Sequence, residues 1–88
     1  VDVWAPWCGP CRAMAPQFAA AAARLGARAR LLKLNADDNP GPCAQYAVQG
    51  IPALLLFQDG RLIARKAGLM SADQLVDWVS LATAKAAV

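Results

Sequence analysis

The sequence predicts a single α/β domain, in which a four-stranded mixed sheet is flanked by helices on both faces, and three observations indicate this class. A chain of 88 residues can bury one hydrophobic core. A strand, an amphipathic helix and a second strand follow one another, which is typical of a parallel βαβ unit. Further on, Asp59-Gly60 separates two β-forming runs, which is a strong signal for a β-hairpin. The predicted order is β-α-β-short α-β-β-α.

The first half of the chain supplies the βαβ unit. Residues 1–5 alternate β-forming residues with small or polar ones and predict a short strand. A helix is predicted from Cys11 to about Leu25, since apolar residues recur at helical spacing over this stretch. Pro16 falls inside this helix and is expected to kink it. Residues 31–34, almost entirely leucine, form the second predicted strand.

A short helix and the hairpin follow. The short helix is predicted over residues 39–46, because Asn39 is a favourable N-cap and Pro40 suits the first helical position. The two hairpin strands are predicted at residues 53–58 and 61–65.

A last helix closes the predicted domain. Ser71 and Gln74 have the spacing of a capping box, in which each side chain bonds the backbone N–H of the other residue. The Ala-rich end of this helix is expected to fray from Thr83. This leaves a domain over residues 1–82 and a tail over residues 83–88.

The composition excludes several classes of function. The chain carries nine Lys and Arg against six acidic residues, and the basic ones are scattered, not gathered in the stripe that nucleic-acid binding needs. The absence of His excludes Ser-His and Cys-His nucleophile pairs and most zinc enzymes. No apolar run approaches the roughly 20 residues of a membrane span. We therefore expect no nucleic-acid partner and no membrane span.

The chemistry of the sequence is concentrated in the pair Cys8 and Cys11, at the junction of a strand and a helix. At this spacing the two sulfurs can meet in a small disulfide ring. The first cysteine falls at a helix N-terminus, where free backbone N–H groups and the helix dipole favour a thiolate. The second lies one turn inside and is shielded. A zinc site needs two more ligands and only Cys43 remains, while a purely structural disulfide would constrain the chain little.

Residues 1–11 (VDVWAPWCGPC) resemble the active-site segment of the thioredoxin family. Further matches are Lys33-Leu34-Asn35, Gly50-Ile51-Pro52, Phe57-Gln58-Asp59-Gly60 and Gly68. The resemblance runs to about residue 81, and the Gly-Pro pair between the cysteines differs from what glutaredoxins and the oxidising disulfide enzymes typically carry. Within the family the chain is similar to bacterial thioredoxins, including the thioredoxin-2 type. The resemblance implies a thioredoxin-like fold and protein-disulfide reductase activity.

The resemblance also implies a role for each residue of the site. Cys8 would be the attacking thiolate and Cys11 the thiol that resolves the mixed disulfide. Asp2 matches the family's buried acid behind the second cysteine, and Lys33 its buried lysine partner. Pro52 matches the proline with a cis peptide bond that faces the disulfide. The matches to the surface that receives substrate are Trp4, Trp7, Gly9, Pro10, Ile51, Pro52 and Gly68.

The residue types agree with these roles, although simpler interpretations stay open. Asp2 interrupts an apolar strand, where a desolvated carboxyl would have a raised pKa and take the proton from Cys11. The alternative is an outward-facing Asp2. Lys33 is either the partner of Asp2 or a solvated strand residue. Pro52 either leaves a backbone edge free for an extended substrate or is an ordinary turn proline.

The expected function is reduction of protein disulfides by the Cys8–Cys11 dithiol, with substrate proteins and a thioredoxin reductase as partners. No cofactor is expected beyond the redox-active disulfide, and the bacterial cytoplasm is the expected compartment. Two other classes stay open. One is a thiol-disulfide domain of a larger or exported protein, and the other is a binding module that uses the substrate surface without turnover.

Three features depart from the family pattern. The family carries a strand and a helix ahead of the position of Asp2, and this sequence does not show them. We therefore expect the sequence to be part of a longer chain. The strand over residues 31–34 is therefore expected to be an exposed apolar edge, with lowered stability or dimerisation through this edge. Cys43 is either a half-buried small residue or a thiol that links two copies. Ala53 stands where Thr is common after the proline.

Overall fold

The computed structural model describes residues 1–86, and it has the α/β class that the sequence predicts. Four strands form one mixed sheet in the order β2-β1-β3-β4. The strands are β1 (Asp2–Trp4), β2 (Lys33–Asn35), β3 (Ala53–Gln58) and β4 (Arg61–Ala67). The helices are α1 (Gly9–Leu25), α2 (Pro40–Gln45) and α3 (Ala72–Ala86), and a single 3-10 turn at Gly26–Arg28 follows α1. No helix within residues 1–86 is long and apolar enough to cross a membrane.

The strand β1 lies in the interior of the sheet and sets the position of the site. It pairs in parallel with β2, where Asp2 faces Lys33, and antiparallel with β3, where Asp2 faces Leu54. The strands β3 and β4 form the predicted hairpin. Its turn residues, Asp59 and Gly60, have φ values of 53° and 78°, which is the left-handed pair that a type I′ turn requires.

The two faces of the sheet carry separate cores, because successive side chains of a strand point to opposite sides. On one face α1 and α3 pack together over Leu54, with Met14 and Leu75 fully enclosed. On the other face Val3 and Leu55 are covered in part by side chains of α2 and the segment after it. Asp2 shares the face of Leu54, its partner in register, and so points toward the layer of α1 and α3.

The observed β2 has different bounds from the predicted strand over residues 31–34. The strand runs instead from Lys33 to Asn35, because β1 offers only three residues for parallel pairing. Leu31 packs against the core under α1 and α3, whereas the side chain of Leu32 is 50 % exposed. The strand β2 does form an edge of the sheet, as predicted.

Both long helices extend further than the sequence predicted. The helix α1 begins at Gly9, two residues before the predicted start, because Cys8 has extended backbone angles and acts as the N-cap. It runs unbroken through Pro16 to Leu25.

The helix α3 opens with the predicted capping box. The Oγ of Ser71 accepts from the N–H of Gln74 at 3.2 Å, and the Oε1 of Gln74 accepts from the N–H of Ser71 at 2.9 Å. Helix α3 reaches Ala86, so residues 83–86 of the predicted tail continue the helix, in keeping with the high helix propensity of Ala. Residues 87–88, the rest of the predicted tail, lie outside the described residues.

Candidate active site

A disulfide joins Cys8 and Cys11 where β1 gives way to α1. The connection between Trp4 and Gly9 is a tight turn, in which the N–H of Cys8 donates to the carbonyl of Ala5 at 3.1 Å. Both cysteines are nearly enclosed, with 4 % and 3 % of their surface exposed, and they form a small cluster with Ala5. The half-buried side chains of Trp4 and Ile51 pack against this cluster.

The sulfur of Cys8 occupies the N-terminal end of α1. Its Sγ accepts a hydrogen bond from the backbone N–H of Cys11 at 3.2 Å, so it takes the position of a capping oxygen. The first turn of α1 contains no acidic residue to oppose a negative charge there. A thiolate at Cys8 would therefore be stabilised by this N–H group and by the helix dipole. Cys11 lies within the first turn and has no such position.

Asp2 is fully buried, and this excludes the alternative of an outward-facing residue. Neither carboxyl oxygen has a hydrogen-bond partner within residues 1–86. Burial raises the pKa of Asp2, and the nearby charge of Lys33 partly opposes the shift. Asp2 lies on the same face of β1 as Trp4, two residues on, and Trp4 packs against the cysteine cluster. Because its pKa is raised, this buried carboxyl can hold a proton at a pH where an ordinary aspartate is ionised.

Lys33 is exposed, which favours the alternative of a solvated strand residue over that of a buried partner for Asp2. The physical reason is that β2 is an edge strand, and the long side chain reaches outward to keep its ammonium in water. Its Nζ lies 4.3 Å from the centre of the Trp4 ring, a cation–π arrangement. Among residues 1–86 the one ion pair joins Arg24 to Asp73, away from the site. Lys33 therefore acts on Asp2 through space, without direct contact.

The loop before β3 lies directly against the disulfide. The Sγ of Cys8 is 3.9 Å from the carbonyl oxygen of Ile51, and the peptide bond between Ile51 and Pro52 is cis. The carbonyl of Pro52 accepts from the N–H of Gly68 at 3.0 Å, which ties the end of β4 to the same place. Three segments that are distant in sequence therefore meet here, since residues 51–52 contact Cys8 on one side and Gly68 on the other.

The predicted docking residues surround this meeting point with different exposure. Trp4 and Ile51 are half-buried and Pro52 is buried, whereas Trp7, Gly9, Pro10 and Gly68 are exposed. The indole of Trp7 is 67 % exposed, although its Nε1 donates to both carboxylate oxygens of Asp37, at 3.2 and 3.0 Å. Sequence reasoning missed Asp37, because a contact across 30 residues leaves no local pattern.

Cys43 lies on the opposite face of the sheet from α1. It is half-buried in α2 and packs against the cluster that contains Val3 and Leu55. This position favours the interpretation of a small apolar residue. No group of three or more His, Cys, Asp or Glu side chains within the described part of the chain could hold a metal ion.

The fold and the site together define a thiol-disulfide oxidoreductase, with two cysteines at a helix N-terminus beside a cis proline. The model of the family Thioredoxin matches residues 1–81. The chain is 44 % identical over 79 residues to a thioredoxin of Rhodospirillum rubrum, covering 90 % of this chain and 76 % of that one. It is 49 % identical over 75 residues to a thioredoxin of Acidithiobacillus ferridurans, covering 85 % and 69 %. The chain therefore belongs to the thioredoxin family.

A solved structure supports the same assignment. The crystal structure of chloroplastic thioredoxin z superposes with a TM-score of 0.82 at 28 % identity, covering 94 % of this chain and 75 % of that one. Named thioredoxins are protein-disulfide oxidoreductases, and the Cys8–Cys11 pair supplies the redox centre for that activity here.

Proposed function

We propose that this protein reduces the disulfides of substrate proteins in the bacterial cytoplasm and is returned to the dithiol form by a thioredoxin reductase. The observation that carries the proposal is the hydrogen bond from the N–H of Cys11 to the Sγ of Cys8 at the start of α1. This hydrogen bond and the helix dipole stabilise the thiolate form of Cys8. The similarity to bacterial thioredoxins supports the compartment and the reductase.

The first step is attack by the Cys8 thiolate on one sulfur of the substrate disulfide. A bond forms between Cys8 and that sulfur, the substrate S–S bond breaks, and the other substrate sulfur leaves as a thiolate. In the second step Cys11 loses its proton and attacks the Sγ of Cys8. The Cys8–Cys11 bond forms, the mixed disulfide breaks, and the substrate leaves as a dithiol. Two electrons pass from the protein to the substrate, so the reductase must restore both thiols.

Asp2 is the proposed acceptor for the proton of Cys11. It is buried on the face of β1 that points toward α1, and its two carboxyl oxygens have no partner within residues 1–86. A carboxyl with a raised pKa is a more effective base near neutral pH than an ordinary aspartate. Transfer takes place directly or through one water molecule.

The docking surface is proposed to be formed by the exposed residues around Cys8. Gly68 and Pro52 bring two backbone segments together beside the sulfur. Trp7 supplies a large exposed aromatic surface at the other side of the turn, and such side chains dominate the energetics of protein interfaces. A substrate segment would lie extended across Ile51 and Pro52.

The direct test is reduction of insulin disulfides with NADPH and a bacterial thioredoxin reductase. The wild-type protein and Cys43→Ser are expected to turn over, whereas Cys8→Ser is expected to be inactive. Cys11→Ser should stop after the first step and accumulate a mixed disulfide between Cys8 and the substrate. Turnover by Cys8→Ser, or a mixed disulfide on Cys11 in the wild type, would overturn the assignment of roles.

A further inference from the structure

We propose that Asp37 is a positioning residue of the docking surface, which fixes the indole of Trp7 in one orientation before substrate arrives. The proposal rests on the proposed function, because it concerns how substrate is held beside Cys8. The observation behind it is the hydrogen bond from the Nε1 of Trp7 to both carboxylate oxygens of Asp37, at 3.2 and 3.0 Å.

Asp37 is itself held in place by the loop that carries it. The N–H of Asp37 donates to the Oδ1 of Asn35 at 2.9 Å, and the Nδ2 of Asn39 donates to the carbonyl of Asn35 at 2.9 Å. The N–H of Ala36 donates to the carbonyl of Trp4 at 2.8 Å, which attaches the loop to the end of β1. The acceptor of the indole therefore has a fixed position at the edge of the site.

The turn that carries Trp7 is held from the other side through the backbone of the neighbouring residues. The Nη1 of Arg12 donates to the carbonyl of Pro6 at 3.0 Å, and the N–H of Cys8 donates to the carbonyl of Ala5. The ring nevertheless stays 67 % exposed, so packing alone does not fix it. An exposed aromatic ring with a fixed orientation is preorganised for a partner, since the entropy of ordering it has already been spent in the free protein.

Loss of the Asp37 carboxylate should therefore weaken the binding of protein substrates selectively. Ordering one side chain at an interface costs about 0.5–1.5 kcal/mol, which corresponds to about a two- to twelvefold change in affinity. The KM for a protein disulfide should rise by that factor in Asp37→Ala, with kcat nearly unchanged. Reduction of a small aromatic disulfide reagent, which is too small to need the Trp7 ring, should keep its wild-type rate.

Two variants provide matched controls. Asp37→Asn keeps an oxygen at the same place and should retain the bond and a wild-type KM. Asp38→Ala removes the neighbouring exposed carboxylate and changes the net charge equally, without touching the indole. A KM that rises equally in Asp37→Ala and Asp38→Ala would show that charge, not positioning, is responsible, and would overturn the proposal.

The bond itself is measured separately, by hydrogen exchange of the indole N–H of Trp7 in NMR spectra, assigned with Trp7→Phe. Exchange should be slower in the wild type and Asp37→Asn than in Asp37→Ala. Equal exchange in all three proteins would show that Asp37 does not hold the indole of Trp7, even if the KM values differ. A wild-type protein that reduces no protein disulfide would refute the proposed function, whereas the exchange measurement would still decide whether Asp37 holds Trp7.

Discussion

The N–H of Cys11 donates a hydrogen bond to the Sγ of Cys8 at 3.2 Å, so one cysteine of the redox pair serves as the helix cap for the other. The Sγ of Cys8 therefore both forms the disulfide and caps the helix. Reduction would leave a sulfur at Cys8 that carries negative charge toward the positive end of α1. The two thiols of the dithiol form are therefore unequal.

The buried carboxyl of Asp2 should make the protein less stable as the pH rises. The native pKa of Asp2 is raised above its unfolded value by burial, so the native state binds more protons between the two values. The free energy of unfolding therefore falls as the pH rises through this window. Asp2→Asn should abolish this slope and raise the free energy of unfolding by about 1 kcal/mol or more at pH 8.

The measurement is urea unfolding of the oxidised protein from pH 4 to pH 8. Asp77→Asn is the matched control, because Asp77 is exposed on α3. It should keep the wild-type slope. An Asp2→Asn variant that is less stable than the wild type at pH 8 would contradict a desolvated, unpartnered carboxyl.

The ammonium of Lys33 should tune the second chemical step through Asp2. Its positive charge lowers the pKa of Asp2 against the larger effect of burial. Replacing it in Lys33→Met should move the pH dependence of the resolving step to higher pH, with little effect on the attack by Cys8. Single-turnover kinetics across pH test this. Lys66→Met, on an exposed position of β4, is expected to leave the profile in place.

The backbone at Ala47 is in the left-handed region, with φ of 54°. This conformation costs an L-residue with a Cβ about 1–2 kcal/mol, whereas Gly adopts it freely but loses about 0.5–1 kcal/mol of chain entropy. Ala47→Gly should therefore stabilise the protein by up to about 1.5 kcal/mol. The opposite sign is expected for Ala44→Gly, inside α2, which should cost up to about 1 kcal/mol. Thermal unfolding compares the two variants. Destabilisation by Ala47→Gly would refute the backbone strain at Ala47.

Local signals in the sequence were sufficient for most elements of the fold. The hairpin follows from Asp59-Gly60 and the start of α3 from Ser71 and Gln74, because a turn and a cap depend on neighbouring residues alone. The start of α1 lies two residues before the predicted one because a cysteine, which is not an expected N-cap, caps this helix.

Features that depend on residues distant in sequence could not be predicted from local signals. The register of β2 is set by the three residues of β1, and the exposure of Lys33 by the place of β2 at the sheet edge. The bond between Trp7 and Asp37 joins two loops 30 residues apart. Of the predicted site, the positions of Cys8 and Cys11 needed only the motif and the helix that follows it.

The N-terminus of α1 makes Cys8 the attacking thiol, and the rate of alkylation at each cysteine is the direct measure of this role. The reduced protein is treated with limiting iodoacetamide at pH 7, and the label is located by peptide mass spectrometry. This role predicts that Cys8 is labelled first, because the N-terminus of α1 favours its thiolate, while Cys11 and Cys43 lag behind. Labelling of Cys11 as fast as or faster than Cys8 would contradict it.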